Sequence, residues 1–90
     1  MVEKIFLWQG ENGMHARPSG IIVNGASGFE SEVKITFGEK SADAKSVFSL
    51  MGLGIKKGDK IKLTATGKDE EAAAEKIGDL LEENSLALKT

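Results

Sequence analysis

The chain has no cysteine and no tyrosine, and only one histidine, one proline and one tryptophan among its 90 residues. Without cysteine there is neither a disulfide framework nor a thiolate metal site, and a lone histidine rules out a zinc site built of histidines. Neither a metal nor a cofactor is expected. An excess of positive charge is also missing. Twelve Lys and Arg face fourteen Asp and Glu, and the net charge of −2 offers no general field for a phosphate backbone. Direct contact with nucleic acid is therefore not expected. No apolar run comes near the ~20 residues that cross a bilayer, and Met1 to Gln9 lacks the basic stretch and long apolar run of a secretory leader. These absences point to a cytoplasmic protein without membrane insertion. The expected organisation is one domain, residues 1–90, and a domain of this size hides only ~60–65% of its unfolded surface. Its site should be shallow.

What is present reads as short elements punctuated by glycine at 10, 13, 28, 38, 54, 58 and 67. Val33, Ile35 and Phe37 alternate with Glu32, Lys34 and Thr36, and Ile61, Leu63 and Ala65 with Lys60, Lys62 and Thr64. Both are strands with one wet face. Val2 to Trp8 is strand-like with apolar residues on both faces, and Lys40 to Asp43 forms a short fourth strand turning back through Gly38-Glu39. A helix is predicted over Glu70 to Asn84, capped by Asp69, with Ala73, Ile77, Leu80 and Leu81 along one side. A shorter one starts after Ser46 and ends at Gly52 or Gly54. Residues 16–27 are ambiguous. Ile21-Ile22-Val23 before Asn24-Gly25 reads as strand and hairpin, whereas Pro18 suits a first helical turn and Pro18, Ile22 and Ala26 would share a helix face.

The single histidine stands in Asn12-Gly13-Met14-His15-Ala16-Arg17-Pro18. If a helix starts there, the free amides of Ala16 and Arg17 and the helix dipole favour an anion beside the ring. A neutral imidazole has the lone pair with which to attack phosphorus, and the planar Arg17 guanidinium matches phosphate oxygens. The plainer alternative is a capping or solvated histidine beside a solvated arginine. Gly13, Arg17 and Pro18 at these positions argue against it.

Gly13-Met14-His15-Ala16-Arg17-Pro18 resembles the active-site signature of the phosphocarrier HPr family of the bacterial phosphoenolpyruvate-dependent sugar phosphotransferase system. Ala44-Lys45-Ser46-Val47-Phe48-Ser49-Leu50-Met51-Gly52-Leu53-Gly54 is similar to that family's regulatory-serine segment. The resemblance covers nearly the whole chain. It implies an α+β open-faced β-sandwich, a four-stranded antiparallel sheet with three helices on one face in βαββαβα order, and so a helix over residues 16–27. It also implies that His15 accepts a phosphoryl group on Nδ1 from enzyme I and passes it to a sugar-specific enzyme IIA, with Arg17 and the Ala16 amide stabilising it. Such a protein is a carrier, not a turnover enzyme.

Ser46 has two readings. Serine is a favoured N-cap whatever the function; the resemblance adds phosphorylation by an HPr kinase/phosphorylase and contact with a catabolite-control regulator. Val47, Phe48 and Met51, with Gly20 and Ile21, are the expected docking face, where adaptable methionine and aromatic side chains suit several partners. Core packing claims Leu50. Ser19, Gly20, Asn24 and Ser27 depart from residues common in the family, which bears on partner choice and leaves the phosphoryl chemistry intact. A monomer is expected.

Two other readings differ in class. A regulatory-only relative acting through phospho-Ser46 in carbon-catabolite control could dispense with the histidine, which this chain keeps together with Arg17. A small RNA-binding α+β domain would present aromatics and a basic face on its sheet, for which Trp8 and Ile5 are the residues to check.

Overall fold

Alternation along the strands, a glycine-marked turn at each end and two amphipathic helices resolve into eight elements in the computed structural model, which describes residues 1–90. In chain order they are β1 (Val2–Trp8), α1 (Ala16–Ser27), β2 (Glu32–Phe37), β3 (Lys40–Asp43), α2 (Val47–Met51), β4 (Lys60–Thr66), α3 (Glu70–Glu83) and β5 (Ala87–Lys89). The strands form one antiparallel sheet in the order β3-β2-β4-β1-β5. The expected open-faced α+β architecture with three helices is present. The sheet has five strands, not four. The additional β5 is three residues long, too short for a readable period, and it forms because the outer edge of β1 would otherwise leave its ladder donors and acceptors unpaired.

The register assigns the face that alternation left open in β1. Phe6 lies opposite Ile61 and Lys4 opposite Leu63, so Phe6 and Trp8 turn toward the helices with the buried residues of β4. Burying each large apolar side chain contributes about 1.5–3 kcal/mol, and here Phe6, Trp8, Ile35, Ile61 and Leu63 are all enclosed. Ile5, paired with Lys62, and Leu7, paired with Lys60, turn to the open face with Thr36 and Thr64. Trp8 is therefore not an open-face aromatic, and the sheet offers no stacking platform for bases.

Residues 16–27 are helical, with Pro18, Ser19, Ile22 and Ala26 buried along one side. Gly25, a weak helix former in isolation, sits where α1 meets α3: a Cβ there would come within 2.5 Å of a Leu80 methyl and 3.0 Å of an Ile77 methyl. Tertiary packing outweighs the local preference for strand.

Asp69 precedes α3 as expected but does not cap it with its side chain. Its carboxylate instead accepts the amides of Ser31 at 2.9 Å and Glu30 at 3.0 Å together with the Ser31 hydroxyl, and its own amide donates to Ser31 Oγ at 3.2 Å. This clamp joins the start of β2 to the start of α3. The Ser31 hydroxyl above all, with the Glu30 amide, holds the Asp69 carboxyl down at about 2, against an ordinary 3.8. Between those values the unfolded chain binds more protons than the folded one, so stability rises with pH. The contribution is complete above the ordinary value and is lost as pH falls through about 2. Urea melts should show the wild type losing stability on acidification more steeply than Asp69→Asn, which starts weaker at neutral pH; parallel pH profiles would contradict the clamp.

Candidate functional site

The chain leaves β1 at Trp8 and reaches α1 through a seven-residue loop whose backbone is tied at several points. Gly13 has φ +70°, a left-handed conformation that suits glycine. A Cβ at this position would collide with the carbonyl oxygen of Ile55. That close approach lets the Met14 amide donate to the same oxygen at 3.0 Å while the Met14 side chain enters the core. The His15 amide then donates to Gly13 O at 3.0 Å.

His15 occupies the N-cap position of α1 with extended backbone angles, φ −98° and ψ −170°, and its side chain makes no capping bond. Its carbonyl accepts the first helical amide, that of Ser19, at 3.1 Å. The imidazole is thus exposed and uncommitted. Ala16 and Arg17 are exposed in the first turn, where amides have no partner within the helix, and Pro18 has no amide to leave unpaired. None of the four ion pairs, Met1–Glu70, Lys34–Glu32, Lys57–Glu11 and Lys62–Glu3, uses Arg17. First-turn amides, a helix dipole and a free guanidinium beside a nucleophilic ring can hold a tetrahedral oxyanion at the surface.

The regulatory candidate lies on the neighbouring helix. Ser46 caps α2, its Oγ accepting the Ser49 amide at 3.3 Å. Lys45 Nζ donates to Phe29 O at 2.9 Å just beyond the end of α1, while Met14 is bonded to Ile55 beyond the end of α2. These two ties join the segments that flank α1 and α2, which pack against each other. Phe48 is 89% exposed and Met51 40%, whereas Leu50 is fully buried. Val47, Gly20 and Ile21 are half-buried. The expected docking residues therefore share two adjoining helices.

Sequence reasoning named His15, Ala16, Arg17 and Ser46 but missed what positions them. Ile55 and Lys45 act through a backbone carbonyl and a cross-helix bond, and neither leaves a mark in residue type or spacing. Gly13 alone carried a readable signal. No cluster of His, Cys, Asp and Glu is arranged to hold a metal ion, and no helix is long and apolar enough to cross a membrane.

Residues 2–83 match the family described as PTS HPr component phosphorylation site. The chain is 38% identical over 79 residues to the multiphosphoryl transfer protein of Salmonella typhimurium, covering 84% of this chain and 21% of that much longer protein. Its fold is similar to the histidine-containing phosphocarrier protein of Mycoplasma, with a TM-score of 0.92 and 29% identity over 94% of this chain and 97% of that one. It is also similar to HPr-C-His from Thermoanaerobacter tengcongensis, with a TM-score of 0.87 and 37% identity over 92% and 93% of the two chains.

The two glycines flanking the site should respond in opposite ways. Gly13→Ala adds backbone strain and a clash with Ile55, and should destabilise by about 2 kcal/mol or more. Gly20 is in mid-helix with open space around its Cβ position, so Gly20→Ala should stabilise by about 0.5–1 kcal/mol. Urea denaturation measures both, and a neutral Gly13→Ala would contradict the close approach.

Proposed function

The chain belongs to the HPr family of phosphocarrier proteins of the phosphotransferase system, and we propose that it carries the phosphoryl group on His15. The observation that supports this reading best is the uncommitted, exposed imidazole at the N-terminal end of α1, next to the Ala16 and Arg17 amides. The lone pair of the acceptor nitrogen, Nδ1 by resemblance to the family, forms a new P–N bond. The P–N bond to the phosphohistidine of enzyme I breaks as it forms, and its electron pair returns to the donor imidazole. Transfer to an enzyme IIA repeats the step with the carrier as donor. Such transfers depend mainly on in-line placement and charge stabilisation, which the two amides and the Arg17 guanidinium provide from one side. An exposed site suits a group that must be released, and makes the protein a carrier within the 1–90 domain, not a turnover enzyme.

Gly20, Ile21, Val47, Phe48 and Met51 form the docking face in this reading. Phe48 is its anchor, because a Phe ring left in water has most to gain from contact. A soluble monomer in the cytoplasm fits a face shown to successive partners. Ser46 is the second, regulatory site: a phosphate at the start of α2 replaces the hydroxyl that now accepts the Ser49 amide and adds about two negative charges beside the docking face. A regulatory-only role through Ser46 is the lesser reading, since His15 and Arg17 are both retained.

Incubated with phosphoenolpyruvate and enzyme I, the protein should gain one acid-labile, alkali-stable phosphate. His15→Ala should gain none, and Arg17→Ala should be labelled about 10- to 100-fold more slowly, as expected for loss of a charge-stabilising group. Full labelling of His15→Ala would exclude the mechanism. HPr kinase and ATP should add an acid-stable phosphate to the wild type and none to Ser46→Ala; an unlabelled wild type would remove the regulatory role.

A further inference from the structure

The fifth strand is not idle decoration at the sheet edge. Where β1 ends, the amides of Gln9 and Gly10 converge on one acceptor, the carbonyl of Leu86, at 2.6 and 3.2 Å. Gly10 O in turn accepts the Gly13 amide at 3.1 Å, and Gly13 O accepts the His15 amide at 3.0 Å. An unbroken series of backbone bonds therefore runs from Leu86 to the candidate phosphoryl acceptor.

Leu86 is itself well fixed. Its amide donates to Leu81 O of α3 at 2.8 Å, its side chain is buried, and Ser85 before it turns the chain with φ 56°. After it, β5 pairs Ala87 with Trp8, Leu88 with Leu7 and Lys89 with Phe6, and the Thr90 amide donates to Ile5 O at 2.9 Å. The loop rests on the enclosed Trp8 ring: a Cβ on Gly10 would come within 2.9 Å of Trp8 Nε1. That nitrogen has no hydrogen-bond partner. The indole supports the loop from below without tying it; Ile55 O and Lys57, whose Nζ donates to Glu11 Oε1 at 2.8 Å, tie it on the side of the segment leading into β4, and Leu86 ties it on the side of β5.

We propose that the Leu86 carbonyl, held by β5, is a positioning group that fixes the loop carrying His15 from the side opposite Ile55. This rests on the reading of His15 as phosphoryl acceptor. A displacement of about 1 Å in a transferring group can cost about 100-fold in rate, so anchoring the loop on both sides has a direct kinetic consequence. The fifth strand thereby links the C-terminal segment to the reaction at the start of α1.

Two variants test it. Removing Leu86 to Thr90 deletes the acceptor, and Leu88→Pro keeps the Leu86 side chain but removes the ladder donor through which β5 aligns the Leu86 carbonyl with Gln9. Leu88→Ser, at an exposed position, keeps the ladder and serves as the control. In both disruptive variants, amide hydrogen exchange at Gln9, Gly10 and His15 should accelerate about tenfold or more while α3 and β4 keep their protection. Trp8 emission should shift to the red, and phosphate uptake from phospho-enzyme I should slow by about 3- to 10-fold. Leu88→Ser should match the wild type throughout. Unchanged exchange at His15 and unchanged uptake in a folded variant, whether or not Gln9 and Gly10 exchange faster, would overturn the proposal, leaving β5 a purely structural strand. A wild type that accepts no phosphate would refute the His15 reading instead, and exchange at His15 would still decide whether Leu86 positions the loop. If the shortened chain does not fold, Leu88→Pro decides alone.

Discussion

The contact on which the site depends is the close approach of Gly13 to the carbonyl of Ile55. It requires a left-handed residue without a Cβ, and it sets the Met14 amide on the same oxygen. Met14 is thereby buried, His15 follows it at the surface, and Pro18 lies in the first turn of the helix just behind it. The direction of α1, and with it the direction of its free amides, follows from the same fixed point, while Gly25 lets the helix settle against Leu80 and Ile77.

A carrier needs a rigid main chain under a side chain that remains accessible. Here the amides of Gly10, Gly13, Met14 and His15 are all bonded, yet the imidazole and the Arg17 guanidinium make no hydrogen bond or ion pair in the folded chain. The neighbouring helix contributes in a different way. α2 is short, encloses Leu50 and leaves Phe48 to solvent. Ser46 stands at the start of α2, as His15 stands at the start of α1. In the proposed relay, charge added at Ser46 would act on the docking face that includes Val47, Phe48 and Met51.

Much of this was legible in the residues. The wet and dry faces of β2 and β4 follow from strict alternation of charged and apolar side chains, and α3 follows from the spacing of Ala73, Ile77 and Leu81. The face of β1 did not, because Ile5 and Leu7 are as apolar as Phe6 and Trp8, and only pairing with Ile61 and Leu63 separates them. Local preference favoured a strand at Ile21–Val23; resemblance supplied the helix, and packing of Gly25 against α3 explains it. Asp69 looked like a cap by residue type, but Ser31, thirty-eight residues earlier, takes its carboxylate. The same limit hid Ile55, Leu86 and β5. Groups that act through main-chain atoms across long separations leave little trace in side-chain pattern, whereas His15, Arg17 and Ser46 act through their own chemistry and were named by it.

In the proposed relay, backbone amides at the start of α1 receive the phosphoryl oxygens. Amide NMR spectra recorded before and after phosphorylation by enzyme I and phosphoenolpyruvate address it directly. The Ala16 and Arg17 amide protons should move downfield as they begin to donate to the phosphoryl group, while those of β2 and β4 keep their positions. Phosphorylated protein in which both amides remain where they were would exclude that role for them.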